Sequence, residues 1–311
     1  MELITGENDK GRRLDRILRK ALPDRPLPLL HRLLRQGHVL VNGKPAKAQD
    51  RLDSGAIISI PSLTAFGHES AGQKPVALPS PAIIWQGHGL IAVNKPPGLE
   101  VHGSGTSLGY SLDKMVQAYL AGKIAASLSF KPGPLHRLDK PTSGIVIFST
   151  SIEGARNFSS LMREQKVQKT YLAILEGTVK NDEIWEDELV RDKGIKKTFI
   201  SEPDTGGLMK HTGSKTAITK ITLLAAKDNY SLIKAEIATG RTHQIRAQAA
   251  AHGHPLAGDR KYGGHGHGGL FLHSWKINFS GHSIEAPPPE TFMEKITTFL
   301  GIRLSQNLIN A

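Results

Sequence analysis

The chain contains a short polar run, Gly133-Pro134-Leu135-His136-Arg137-Leu138-Asp139-Lys140-Pro141-Thr142-Ser143-Gly144, which ends directly against an apolar stretch, Ile145 to Phe148. A carboxylate in a loop carried by a rigid strand is a common arrangement for a catalytic group. By residue type alone, an Asp in a turn is more often an Asx-turn or a cap than a nucleophile. A likeness to a kinase catalytic loop fails, because the Asp comes one residue late and the metal-binding Asn is missing. A second candidate, Tyr171, lies in Gln168 to Gly177, a strand pattern in which a half-buried aromatic is the default. A third cluster, Thr239-Gly240-Arg241-Thr242-His243-Gln244-Ile245-Arg246, brings two arginines and a histidine to the start of a helix that ends at Gly253.

Two other features tempt and fail. Gly103 to Gly109 has the wrong glycine spacing for a nucleotide loop and no strand leading into it. His252, His254, His265 and His267 are paired at a spacing of two, which is poor ligand geometry, and no carboxylate or Cys set accompanies them. Neither a metal site nor a cofactor is expected.

The elements that must position these groups are readable from periodicity. Ile91 to Lys95 is a short strand stopped by Pro96-Pro97-Gly98. Glu153 to Lys166 fits a helix with Ala155, Phe158, Leu161 and Met162 as its apolar stripe. A hairpin spans roughly Ile218 to Ala225 and Tyr230 to Ile237, turning at Lys227-Asp228-Asn229, and delivers the Thr239 cluster. Leu270 to His273 is a further strand. The Gly- and Lys-rich stretch from Arg191 to Lys220 reads as a surface loop or an RNA contact. Several strands and fewer helices, without regular alternation, predict an α+β fold with a mostly antiparallel mixed sheet.

The net charge of +12 suits a polyanionic partner, and its placement is more informative than its size. Twelve Lys or Arg against three Asp fall between Lys10 and Arg51. Leu14, Ile17, Leu18 and Ala21 give one helix, and Leu29, Leu30, Leu33 and Leu34 a second that ends near Gly37. Val39 to Val41 is a strand, Asn42-Gly43 a tight turn and Leu52 to Ile60 a final strand. Such a basic module neutralises phosphates without reading sequence. An ordinary solvated charged face fits the charge pattern equally well. The Ser-, Gly-, Ala- and Pro-rich segment that follows reads as a linker, giving a module over 1–61, a linker over 62–81 and a second domain over 82–311. The sequence contains no cysteine, which excludes disulfides and thiolate chemistry. With no signal-peptide core at its N-terminus and no apolar stretch of membrane-spanning length, the chain is expected in the cytoplasm.

Two resemblances sharpen this. Arg13-Leu14-Asp15-Arg16 with His31 to Lys44 resembles the αL RNA-binding module first seen in a small-subunit ribosomal protein, over about residues 11 to 61. Gly55-Ala56 stands there in place of the usual Gly-Asp. His136-Arg137-Leu138-Asp139, Thr142-Ser143-Gly144, Lys169 to Ala173, Thr239 to Arg246, Pro255 to Asp259 and Leu270 to His273 together resemble the RluA-type RNA pseudouridine synthases. Their order and spacing agree over about residues 82 to 288. One departure is Gln248, where that family often has His.

The resemblance implies isomerisation of uridine in RNA without redox change or energy input. Asp139 would be the nucleophile, held charged and aimed by Arg241, and Tyr171 would stack on the uracil and help remove the proton left on the ring carbon. Arg137 would enter the space vacated by a flipped base; a salt bridge supporting the loop is its other reading. Arg246 reads as structural or phosphate-facing. Arg13, Arg16, Arg32, Arg35 and Lys44 would dock RNA. Large-subunit ribosomal RNA is the favoured partner, transfer RNA the alternative, and the enzyme is expected to be a monomer. Two other classes compete: a nucleoside hydrolase that releases free uracil, and a catalytically silent RNA-binding assembly factor.

Overall fold

A computed structural model describes residues 1–61, 79–103, 110–201, 213–266 and 268–303. Most of the linker reading, most of the Gly103–Gly109 loop, part of the Arg191–Lys220 stretch and His267 therefore lie outside the described residues.

The first sixty residues build their own small core. The helices Leu14–Ala21 and Leu27–Arg35 turn Leu14, Ile17, Leu18, Leu30, Leu33 and Leu34 inward. Helical spacing puts those leucines on one face and leaves the arginines outside. They cover a four-stranded sheet in the order Glu2–Ile4, Ile57–Ser59, Leu40–Val41 and Lys44–Pro45. Asn42 and Gly43 both adopt positive φ (49° and 78°), the turn that joins the last two strands. The strand expected over Leu52 to Ile60 is interrupted: Gly55, at φ 79°, turns the chain between Arg51–Leu52 and Ile57–Ser59.

This module is fixed to the rest of the chain by a buried carboxylate. Asp9 accepts hydrogen bonds from Ser127 Oγ at 2.7 Å, Leu128 N at 2.9 Å and Ser129 N at 3.0 Å. Burial opposes its charge, but the Ser129 hydroxyl, which also donates to it, with Gly6 N, Leu128 N and the Ser127 hydroxyl, outweighs burial and lowers its pKa. Arg12 adds a bond from Nη1 to the Ser129 carbonyl at 3.0 Å.

The larger part of the chain is organised around an eleven-stranded sheet. Its main path runs Lys197–Ile200, Glu183–Asp192, Lys215–Lys227, Tyr230–Ile237, Gln168–Glu176, Leu272–Phe279, Ser143–Ser149, Leu90–Lys95 and Ile83–Gly87. Every pairing is antiparallel except that of Ser143–Ser149 with Leu272–Phe279. Asp228 and Asn229 take positive φ and close the expected hairpin. The Arg191–Lys220 stretch, read as a surface loop or an RNA contact, forms in its described residues strand Lys197–Ile200 and the beginning of Lys215–Lys227, so it extends the sheet. Several elements escaped the periodicity reading, among them the strands Glu2–Ile4, Ile83–Gly87, Glu183–Asp192 and His282–Glu285 and the helices Leu112–Leu120 and Glu290–Leu300.

Alternation along Gln168–Glu176 divides the interior. Tyr171, Ala173 and Leu175 face one core with Ile245 and Ala249 of helix Gln244–Ala251 and with Leu112 and Val116 of helix Leu112–Leu120. Leu172 and Ile174 face another, covered by Phe292 and Ile296 of the last helix. A fully buried central strand of this kind is rigid.

The parallel pairing makes a close backbone approach at Gly144. Its φ is 110°, and a Cβ there would lie 2.2 Å from the Ser274 carbonyl oxygen. Gly144→Ala is therefore expected to destabilise the protein by about 3 kcal/mol or more, read as a lowered midpoint in urea unfolding. A midpoint within experimental error of wild type would show that the ladder can shift to accept the methyl group.

Candidate active site

Asp139 emerges from the loop just before strand Ser143–Ser149, and that loop is anchored on both sides. Thr142 N donates to the Asp139 carbonyl at 3.1 Å. Beneath it, the ammonium of Lys95, fully buried, donates to the carbonyls of Pro96, Leu99 and Lys140 at 2.9, 2.9 and 3.1 Å. Burial pushes Lys95 down to about 8, against the pull of Asp139. Three carbonyl acceptors stand in for water around the cation, and one of them belongs to the residue after Asp139. His273 holds the start of the same strand: its Nε2–H donates to the Ala286 carbonyl at 3.0 Å, which leaves Nδ1 to accept from Ser143 Oγ at 2.9 Å. Burial depresses its pKa to about 4, so the ring is neutral.

The partner of Asp139 differs from the sequence expectation. Arg246 Nη1 donates to Asp139 Oδ2 at 2.9 Å. The same guanidinium donates to both oxygens of the buried Asp259, through Nε at 2.7 Å and Nη2 at 2.8 Å. Burial opposes the Arg246 charge; the bonds and charge of Asp259, then those of Asp139, outweigh it and raise its pKa. Arg241, expected in this role, lines the cleft but is exposed, and its Nε donates to the Thr216 carbonyl at 3.2 Å. The reason is position in the chain. Arg246 lies in the first turn of helix Gln244–Ala251 and faces inward, whereas Arg241 lies in the turn before it. The reading of Arg246 as structural or phosphate-facing is corrected accordingly.

His243 completes this side of the site. It sits at the helix N-cap with φ 56° and ψ 24°, a conformation costing about 1 kcal/mol or more for a residue with a Cβ. Its Nε2 lies 3.6 Å from Asp139 Oδ2, and its Nδ1 lies 2.8 Å from the Tyr262 hydroxyl, which also accepts Thr198 N–H at 2.9 Å. Burial, together with Arg246, Lys261 and Arg191, lowers the His243 pKa against the pull of Asp139. Strands Glu183–Asp192 and Lys197–Ile200 thus have a part here. Thr198 and Arg191 hold the Thr242 backbone and side chain at 2.9 and 3.0 Å. Gln244, buried, bridges Thr239 Oγ1 and the Arg241 amide to the Ile218 carbonyl. Gln248, buried at the position of the departure noted above, accepts from Thr219 Oγ1 at 2.6 Å and donates to Asp187 at 2.7 Å.

Above Asp139 opens a cleft of about 170 Å³, lined by Arg137, Asp139, Tyr171, Arg241, His243 and Arg246 among others. Burial, with the charge of Asp139, pushes the Tyr171 phenol up to about 12, so a neutral ring faces the cleft. Arg137 is exposed at its rim while Leu138 is buried below. In the basic module, Arg16, Arg32, Arg35 and Lys44 are exposed. Arg13 is spent on Asp15 at 2.7 Å. The loop histidines go separate ways: His252 bonds Asp187, His254 bonds the Glu176 carbonyl and His265 bonds Glu176. Among the described residues, no three His, Cys, Asp or Glu gather as a metal site.

Comparison with known proteins decides the family. Residues 89–251 match the RNA pseudouridylate synthase model, and residues 12–58 match the S4 domain. The chain belongs to the RNA pseudouridylate synthases. It is 30% identical over 300 residues to ribosomal large subunit pseudouridine synthase C of Vibrio vulnificus, covering 90% of this chain and 89% of that one. It is also 30% identical over 302 residues to ribosomal large subunit pseudouridine synthase D of Neisseria meningitidis, covering 90% and 76%. Human RNA pseudouridylate synthase domain containing 4 shares the fold, with a TM-score of 0.60 at 20% identity over 70% of this chain and 92% of that one. This pseudouridine synthase is thus an RNA isomerase with an RNA-binding S4 domain. Among its described residues no helix is long and apolar enough to cross a membrane.

The shared guanidinium gives a stability prediction. Asp259→Ala leaves Arg246 buried with half of its partners and should cost about 3 to 5 kcal/mol. Combining Asp259→Leu with Arg246→Met should recover much of that loss, because a buried ion pair exchanged for apolar side chains is often neutral. Chemical denaturation checks both. Equal stability of Asp259→Ala and wild type would mean that the pair is hydrated and contributes little.

Proposed function

We propose that this synthase isomerises one or a few uridines of large-subunit ribosomal RNA, with Asp139 as the nucleophile. The observation that carries the assignment is a single carboxylate at the bottom of a cleft, bonded to Arg246 and overlooked by the Tyr171 ring. The reaction breaks the bond between base and sugar, rotates the base and rejoins it through carbon. An ionised carboxylate suits this, and the arginine pairs with it and aims it. Tyr171, neutral and rigidly held, suits stacking on uracil better than proton removal, since it would first have to lose its own proton. Arg137 at the rim is placed to enter the stack when the target base leaves it, a displacement costing a few kcal/mol. Arg241 serves as a cationic rim group.

The ribosomal target is supported by the names of the relatives described above and by the exposed cations of the S4 domain. Those cations would hold RNA phosphates without reading sequence. The division into an RNA-docking module over 1–61, a connecting segment over 62–81 and a catalytic part over 82–311 belongs to the same reading. So does action as a monomer in the cytoplasm, a reducing setting that a cysteine-free chain suits. Sedimentation with and without RNA would test the monomer.

Mapping pseudouridine in ribosomal and transfer RNA of the parent organism lacking this gene tests the proposal. One or a few large-subunit positions should lose the modification, with wild type restoring them and Asp139→Ala failing. Loss confined to transfer RNA would reassign the substrate, and restoration by Asp139→Ala would reject the nucleophile.

A further inference from the structure

Beside the cleft lies a second hollow of about 220 Å³, lined by Arg163, Gln165, Lys169, Thr239, Gly240 and Arg241 among others. Ile237, Gly240 and Arg241 border both, so the two adjoin. Lys169 is two residues before Tyr171 on strand Gln168–Glu176, so its side chain leaves the same face of the sheet. Only 7% of Lys169 is exposed. A Cβ on Gly240 would lie 3.5 Å from its Nζ, which fixes the ammonium under the Gly240–Arg241 turn.

Among the described residues nothing answers this charge. No carboxylate or carbonyl receives Lys169, in contrast with Lys95 and its three carbonyls. The other charged groups lining the hollow, Arg163 and Arg241, are also cations, and no acid lines it. The neighbouring His136 is neutral: burial and the charge of Lys169 push it down to about 3, and its Nε2 accepts Ile147 N–H at 3.1 Å. Burial holds Lys169 itself down to about 8. A buried, unpaired cation costs stability, and a protein that retains one has a use for it elsewhere.

We infer that Lys169, with Arg163 and Arg241 at the rim, binds a backbone phosphate of the substrate RNA next to the flipped uridine. A nucleotide whose base lies against Tyr171 must carry its phosphodiester past one end of the cleft. Two cationic hollows share lining with that cleft among the described residues; the other presents Arg191, Lys193 and Lys215, all exposed, and only this one holds a buried cation without a partner. Lys169 is thus a positioning residue: it holds the sugar-phosphate so that the glycosidic bond is presented to Asp139. The inference rests on the uridine-isomerase reading.

The test uses the full chain as wild type, Lys169→Met and Lys169→Arg. Inorganic phosphate is first titrated against each while thermal unfolding is followed. Phosphate should raise the melting temperature of wild type and Lys169→Arg, and the increment should be reduced in Lys169→Met, which should itself fold at least as stably as wild type. Kinetics then use large-subunit RNA fragments with the target uridine flanked by normal phosphates or by one neutral methylphosphonate. On normal RNA, Lys169→Met should lose about tenfold to a hundredfold in kcat/KM, with Lys169→Arg partly restoring it. The salt slope of binding should fall by about one. One methylphosphonate should cost wild type much and Lys169→Met little. Undiminished phosphate stabilisation of Lys169→Met, or equal methylphosphonate penalties in both proteins, would overturn the inference. A wild type that forms no pseudouridine at all would instead undo the isomerase reading, and the phosphate titration would then decide Lys169 alone.

Discussion

One guanidinium holds the site together. Arg246 gives two of its hydrogen bonds to Asp259 and a third to Asp139. The first two fix the plane of the fork, and the third delivers positive charge to a carboxylate that is only partly shielded from solvent. A lone arginine facing Asp139 would have rotamer freedom and a large desolvation cost; the buried Asp259 removes the first and offsets the second. Lysine, a single-point donor, could not serve both acids in this geometry. Tyr262 adds its ring 5.0 Å from the Arg246 carbon and its hydroxyl to His243, so the helix N-terminus and the arginine are positioned by one aromatic side chain.

The opposite wall depends on the sheet. Asp139 precedes the central strand Ser143–Ser149, whose first residues enter the parallel ladder with His273 and Ser274. Tyr171 stands on the strand on the other side of Leu272–Phe279. Nucleophile loop and aromatic wall are therefore two strands apart in a packed sheet, and their separation is set by strand spacing rather than by loop flexibility. Lys95 locks the loop from below through carbonyls, a device that restrains backbone without adding an acid that would compete with Asp139 for Arg246.

Much of this was legible in the sequence because local patterns carry it. The leucine stripes of both N-terminal helices, the Asn42-Gly43 turn and the Asp228-Asn229 hairpin depend on residues within a turn or two of each other. Asp139 and Tyr171 were visible as motif residues. Which arginine meets Asp139 was not, because the answer depends on helix phase and on Asp259, thirteen residues beyond Arg246. His243 and Arg246 are three apart and share a helix face, while Arg241 precedes the helix, a signal present in the spacing. Strand Glu183–Asp192 was masked by its acidic residues, although Trp185 and Leu189 are buried on one of its faces. Helix Leu112–Leu120 had its stripe in plain view at Leu112, Met115, Val116 and Leu120. Buried Lys95 and Lys169 went unread because lysine is almost never fully buried.

The central claim is that Arg246, and not Arg241, holds the nucleophile. Single-turnover formation of pseudouridine at saturating RNA tests it most directly, because saturation removes differences in affinity. Arg246→Lys should slow the step by about a hundredfold or more, whereas Arg241→Ala should stay within about tenfold of wild type. The reverse order, with Arg241→Ala the slower enzyme and Arg246→Lys near wild type, would contradict the account.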